Sequence, residues 1–302
     1  MVLDSIDDTA ATLARHDYIA DAGLSTCVFL ALKMGRALFL EGEPGVGKTE
    51  IAKVLARALD TRLIRLQCYE GLDVHQSVYE WNYPRQLLEI QARAADGAAG
   101  TDGHEHGTEG IFTEEFLLKR PLLQAVDPSL ERAPVLLIDE IDRADEEFES
   151  FLLELLSEFQ ITIPELGTVA ARHRPVTVIT SNRTREVHDA LKRRCVYHWI
   201  DYPSAERELE IVRLKVPGIE ERLAGQVVRF VQSLRAQELY KAPGVAETLD
   251  WATALGHLEA ADLGAETVEA TLGLLVKYQD DVDRLRGPLT RELLREAAEG
   301  TG

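Results

Sequence analysis

Eight consecutive residues, Gly42-Glu43-Pro44-Gly45-Val46-Gly47-Lys48-Thr49, have the types and spacing of a polyphosphate cradle. The glycines let backbone N–H groups turn inward around phosphate oxygens. A helix starting near Gly47 adds its positive end. Lys48 then reaches the β and γ phosphates, and Thr49 offers a hydroxyl to Mg²⁺. A pair of acids, Asp139 and Glu140, closes the apolar run Val135-Leu136-Leu137-Ile138. Asp139 suits the metal, directly or through water, and Glu140 suits polarising an attacking water. Asn182 follows a third apolar run, Val176 to Thr180; it is either a polar turn residue or a group that orients the same water. The implied chemistry is binding of a nucleoside triphosphate with Mg²⁺, followed by hydrolysis.

Those groups need a scaffold of buried strands. Ala37-Leu38-Phe39-Leu40 precedes the glycine run, and Ile51 to Leu55 continues it as a helix. Leu63 to Leu66, Val135 to Ile138, Val176 to Thr180 and Val196 to Ile200 supply four further strands. Short apolar strands alternating with helices predict a five-stranded parallel sheet covered on both faces. Right-handed crossovers then put the strand ends carrying Gly42, Asp139 and Asn182 along one edge. Phe148, Phe151, Leu152, Leu155, Leu156 and Phe159 recur at helical spacing and predict one buried face. Ile161-Thr162-Ile163 and Thr168-Val169-Ala170 flank a turn and read as a hairpin. Residues 5–34 read as mostly helical.

Beyond Asp201-Tyr202-Pro203-Ser204 nearly everything reads helical. Pro203 disfavours helix before it, and Ser204 can cap the helix that follows. Gly244, Gly273 and Gly287-Pro288 punctuate the segments. The expected division is an α/β nucleotide-binding domain over 1–203 and a helical domain over 204–302. A turn-rich stretch, Gly97 to Gly110, carries His104 and His106; an isolated His-x-His on such a loop reads as incidental. After Asn182 the cations Arg183, Arg185, Lys192, Arg193 and Arg194 fit either a surface helix or an arginine finger for a phosphoryl group. Composition does not choose among them.

The chain has 302 residues and a formal charge of −19, from 33 Lys and Arg against 52 Asp and Glu. That balance argues against nonspecific nucleic-acid binding, which needs a basic surface. No apolar run approaches the length of a membrane span, and the start lacks the form of a signal peptide. Cys27, Cys68 and Cys195 show no metal or disulfide spacing. The expected compartment is a reducing cytoplasm.

Seven stretches together resemble the MoxR group of AAA+ ATPases, and within it the CoxD-like members. They are Gly42 through Glu50, Leu66 through Asp73, Tyr79 through Tyr83, Phe112 through Leu123, Leu136 through Arg143, Thr180 through Glu186 and Ala190 through Arg194. The resemblance implies a P-loop AAA+ core with ATP and Mg²⁺ as cofactors. It assigns Walker A to Gly42–Thr49, Walker B to Asp139 and Glu140, and sensor 1 to Asn182. It makes Arg194 the first finger candidate and Arg193 the second. It also implies a helix-2 insertion around Tyr79–Arg120, a hairpin before sensor 1 at Ile161–Ala170, and an all-helical lid.

The same resemblance implies self-association into a ring, most simply a hexamer. The partners it implies are a von Willebrand factor A domain protein and an immature molybdenum hydroxylase, in the manner of carbon monoxide dehydrogenase maturation. One departure stands out. The lid arginine that such proteins carry is replaced by Thr248, with Lys241 as a nearby cation. A DNA-associated AAA+ motor, or an assembly protein with little turnover, are the alternative functions.

Overall fold

A computed structural model describes residues 3–97 and 111–299. In chain order the elements are α1 (Ile6–Arg15), α2 (Ala22–Met34), β1 (Ala37–Gly42), α3 (Lys48–Ala58), β2 (Leu63–Gln67), α4 (Val74–Val78), β3 (Tyr79–Trp81), α5 (Tyr83–Gly97), β4 (Leu117–Lys119) and α6 (Pro121–Ala125). Next come β5 (Val135–Asp139), α7 (Glu146–Glu158), β6 (Gln160–Ile163), β7 (Gly167–Ala170), β8 (Val176–Ser181), α8 (Asp189–Lys192) and β9 (Cys195–Ile200). Helices α9 (Ala205–Lys215), α10 (Glu221–Arg235), α11 (Val245–His257), α12 (Ala265–Leu275), α13 (Gln279–Leu285) and α14 (Pro288–Glu299) complete the chain. His104 and His106 lie outside the described residues.

The fold is α/β, with a five-stranded parallel sheet in the order β2-β5-β8-β1-β9. Strands β1 and β5 are buried along their whole length, as expected when helices cover both faces. Strand β2 alternates: Ile64 and Leu66 are buried, while Arg65 and Gln67 are exposed. Packing divides the chain into two compact units. One comprises Cys27–Leu40 and Leu55–His198; the other holds the N-terminal residues through Thr26, Glu41–Val54 and the residues from Trp199 onward.

In the first unit the core gathers Phe39, Leu136, Ile138 and Ile179 from the sheet with Phe148, Leu152 and Leu155 of α7. Asp145 caps α7 by accepting from Phe148 N at 2.8 Å. The hairpin at β6–β7 is present. A second two-stranded ribbon, which the sequence reading lacked, pairs β3 with β4: Tyr79 faces Lys119 and Trp81 faces Leu117. Trp81 is buried there and meets Phe112 edge-on, with ring centroids 5.1 Å apart.

In the second unit the helices α9 to α14 share one core. Trp251 is fully buried against Phe230 at 5.3 Å, and its Nε1 donates to Thr271 Oγ1 at 2.8 Å. Ser204 caps α9, as expected. Gly244 caps α11. Gly273, in contrast, lies inside α12, and the break before that helix falls at Gly264. Helical spacing of Val268, Leu272 and Leu275 across Gly273 keeps the helix intact despite its low propensity.

Candidate functional site

The phosphate loop joins β1 to α3. Gly42 closes the strand in a place where no side chain fits: a Cβ would lie 2.3 Å from the Ile200 carbonyl oxygen. Lys48 is the first residue of α3 and is buried. Its Nζ donates to Gly42 O and to Glu43 O, both at 2.7 Å. The ammonium thus satisfies loop carbonyls at the point where the loop turns. Thr49 is half-buried one residue on. Tyr18, which the sequence reading passed over, lies within contact distance of the space beside Gly47. Burial holds its hydroxyl well above the ordinary tyrosine range.

The acidic edge is built from β2, β5 and β8. Parallel register sets Ile138 beside Ile179, and so Asp139 beside Thr180. Thr180 Oγ1 donates to Asp139 Oδ1 at 2.6 Å and accepts from Glu140 N at 3.0 Å. Arg65 donates to the other oxygen, Asp139 Oδ2, through Nε at 3.1 Å and Nη2 at 2.6 Å. Glu140 takes left-handed backbone angles, φ 57° and ψ 51°. Its carboxylate pairs with Arg143 Nε at 2.8 Å.

Asp142 is buried one step further along. It accepts from Asn182 N at 3.2 Å, Thr184 N at 2.9 Å and Thr184 Oγ1 at 2.6 Å. Burial pushes its carboxyl up, but the Thr184 and Asn182 hydrogen bonds outweigh that and hold it below the ordinary value. Asn182 therefore sits on a backbone pinned to the acidic edge. Cys68 N donates to Asp139 O at 2.8 Å. Burial first, then the surrounding acids, push the Cys68 thiol up to about 12, so it is no nucleophile.

Thr180 thus bonds both the Asp139 carboxylate and the Glu140 backbone, and the Asn182 backbone bonds Asp142. Arg193 and Arg194 take part in none of the contacts just given; they follow α8 and are exposed. Arg194 Nε donates to Ser157 Oγ at 2.8 Å, and Arg193 stands 4.0 Å from Asp189. In the helical part Thr248 is fully buried and Lys241 is exposed. Sequence reasoning missed Arg65, Thr180 and Asp142. The signal for Arg65 is the alternation of β2, which sets a lone cation on the exposed face between buried Ile64 and Leu66.

The donor set suits Mg²⁺, which takes oxygen ligands and usually only one or two protein groups beside phosphates and water. Thr49 in one unit carries a hydroxyl, and Asp139 in the other a carboxylate whose oxygens accept from Thr180 and Arg65.

These features place the chain among P-loop proteins of the AAA+ type. The chain belongs to the AAA domain (dynein-related subfamily), whose profile matches residues 37–195. Among relatives, it is 26% identical over 316 residues to the uncharacterized protein YehL of Escherichia coli K12, covering 93% of this chain and 80% of that one. It is 34% identical over 152 residues to the chaperone protein ClpB 2 of Parasynechococcus marenigrum, covering 49% of this chain and 14% of that one. A ClpB of Corynebacterium glutamicum is 28% identical over 279 residues, covering 83% of this chain and 29% of its own length. This chain therefore spans less than a third of these ClpB proteins. A RuvB variant of Thermotoga maritima aligns with a TM-score of 0.52 at 17% identity, covering 99% of this chain and 85% of that one. That likeness speaks to the fold alone.

Among the described residues, no helix is long and apolar enough to cross a membrane.

Proposed function

We propose that this chain is a MoxR-type AAA+ ATPase that couples ATP hydrolysis to remodelling, or to metal-cofactor maturation, of a partner metalloenzyme. The observation that carries the ATPase part is the strand edge where Thr180 bonds the Asp139 carboxylate and the Glu140 backbone, with the Asn182 backbone bonded to Asp142 just beyond it. The family it belongs to is one of nucleotide-hydrolysing ATPases. ATP as the nucleotide rests on the resemblance to the MoxR group.

In this reading Gly42 to Gly47 wrap the phosphates, Lys48 moves from loop carbonyls to the β and γ phosphates, and Thr49 and Asp139 hold Mg²⁺. The ion supplies charge neutralisation on the phosphates when bound. Glu140 accepts a proton from the attacking water, and Asn182 orients that water. Glu140 must first leave Arg143. Arg194, exposed and held by hydrogen bonds to Ser157 Oγ and Ala190 O, is the group offered in trans to a neighbouring subunit, with Arg193 second. A ring, hexameric in the simplest case, follows from that role. The nucleotide-binding domain is taken as 1–203 and the lid as 204–302.

The partner-facing surface is the insertion. Trp81 packs inside it, whereas Tyr83, Leu87 and Leu88 are 64%, 56% and 66% exposed. Exposed apolar side chains gathered on one element mark an interaction surface. The proposed partners are an immature molybdenum hydroxylase and a von Willebrand factor A domain protein, in the cytoplasm. The test is reconstitution: apo-hydroxylase, its metal-cofactor source, this protein and ATP, with hydroxylase activity as readout. Activation that needs ATP and is lost in Glu140→Gln supports the reading. Activation equal without this protein removes the maturation role.

A further inference from the structure

The lid lacks an arginine at Thr248, yet its helix α11 meets the phosphate loop directly, within the second compact unit. Ala246 N donates to Gly45 O at 3.1 Å. The backbones touch at two glycines: a Cβ on Gly244 would lie 2.7 Å from Pro44 O and 2.9 Å from Gly45 Cα. A Cβ on Gly45 would lie 3.3 Å from Gly244 Cα and 2.9 Å from Glu247 Oε2. Glu247 Oε2 also accepts from Gly244 N at 2.9 Å and so caps the helix on the face that meets the loop.

Behind this contact sits a buried polar brace. Arg235 of α10 pairs with Glu208 of α9 through two hydrogen bonds of 2.7 Å, with side chains 7% and 0% exposed. Arg235 Nε donates to Pro243 O at 2.8 Å, and its guanidinium lies 4.6 Å from the Tyr202 ring centroid. Thr248 Oγ1 donates to Glu208 Oε1 at 2.8 Å and approaches Gly244 O at 3.1 Å. Both sides of Gly244 are therefore anchored to one ion pair. Arg235 Nη2 lies 3.3 Å from Thr248 Oγ1, the position the missing arginine would take. It is committed to Glu208, and a buried paired charge is costly to unpair.

We propose that Gly244 is a positioning residue through which the lid reads nucleotide: α11 holds the phosphate loop by backbone contact at Gly45, and no lid cation reads the γ phosphate. The inference rests on the reading of residues 42–49 as a nucleotide site. Its physical basis is pre-organisation. The loop must aim its N–H groups inward, and a partner for the outward Gly45 carbonyl favours that shape before the ligand arrives. A clamp on the loop acts on ATP and ADP alike, because both carry the phosphates the loop wraps. A lid cation on the γ phosphate would favour ATP alone.

The experiment titrates fluorescent N-methylanthraniloyl ATP and ADP into wild type, Gly244→Ala, Lys241→Ala and Gly256→Ala. Gly256 lies within α11, and a Cβ there meets nothing within 4 Å, so it reports what a methyl group does to the helix alone. Gly244→Ala should weaken both nucleotides at least tenfold with their ratio unchanged. Lys241→Ala and Gly256→Ala should stay within twofold of wild type. Gly244→Ala within twofold of wild type overturns the proposal, as does a selective loss of ATP in Lys241→Ala. Should Gly244→Ala fail to fold, hydrogen exchange on wild type decides. Protection of the Ala246 amide should rise on adding either nucleotide, and unchanged protection overturns the proposal. Wild type that binds neither nucleotide overturns the nucleotide site itself, an outcome distinct from all of these.

Discussion

Arg65 and Asp139 are joined by two hydrogen bonds, from Nε and Nη2, to a single carboxylate oxygen at 3.1 and 2.6 Å. A guanidinium thus occupies one oxygen of the acid proposed to hold Mg²⁺. Arg65 is half exposed, so the pair is screened and of modest strength. Arg65→Gln should lower the Mg²⁺ concentration that half-saturates nucleotide binding by about two- to fivefold. Nucleotide titrations at several Mg²⁺ concentrations measure this. A higher Mg²⁺ requirement would show that Arg65 supports the metal site instead of competing for it.

Glu140 stands in the left-handed backbone region, which costs a non-glycine residue about 1–2 kcal/mol. Glu140→Gly and Glu140→Ala both remove the carboxylate and its pairing with Arg143. The glycine variant should melt about 2–4 °C above the alanine variant. In an ordinary helical or extended position the order reverses, so a calorimetric comparison of the two variants reads the strain directly.

Asp142 has its carboxyl held below the ordinary value of 3.8 by Thr184 and Asn182, against the opposing effect of burial. A carboxyl lowered in the folded state stabilises above its unfolded value, and that gain disappears as pH falls through the folded value. Asp142→Asn should lose about 1–3 kcal/mol at neutral pH. The gap to wild type should narrow as pH falls below 3.8. Urea denaturation at neutral pH and in that acid range checks it. An equal gap at both would assign the loss to packing rather than charge.

Much of this architecture could be read from residue order, because buried parallel strands leave unbroken apolar runs. Val135–Asp139 and Val176–Ser181 are such runs, and Asp139 and Asn182 mark where they end. The ribbon of β3 and β4 was not legible. Each strand has three residues, and Tyr79 pairs with Lys119, too far apart in sequence for any local pattern. Arg65 escaped for a related reason: its partner lies on the neighbouring strand, and only the register brings the two together. Gly273 misled because a glycine inside an otherwise well-buried helix looks the same in sequence as one that ends it.

Arg194 is exposed, with hydrogen bonds to Ser157 Oγ at 2.8 Å and Ala190 O at 3.4 Å. Exposed contacts of this kind are readily given up on assembly. Arg194→Ala should leave ATP binding intact and abolish turnover. Adding Lys48→Ala subunits, which keep Arg194, should restore part of it in mixed rings. Phosphate release across a series of mixing ratios measures the effect. No recovery at any ratio would take the trans role from Arg194, and the same series with Arg193→Ala then tests the second candidate.

Lys48 is proposed to secure the nucleotide and Glu140 to drive its hydrolysis. The most direct measurement pairs ATP affinity with steady-state phosphate release, on the same samples, for wild type, Glu140→Gln and Lys48→Ala. Wild type should bind and turn over ATP. Glu140→Gln should bind with similar affinity and release phosphate about 100-fold or more slowly, the usual share of a general base. Lys48→Ala should not bind. Phosphate release by Glu140→Gln at the wild-type rate, or unchanged ATP affinity in Lys48→Ala, would contradict the account.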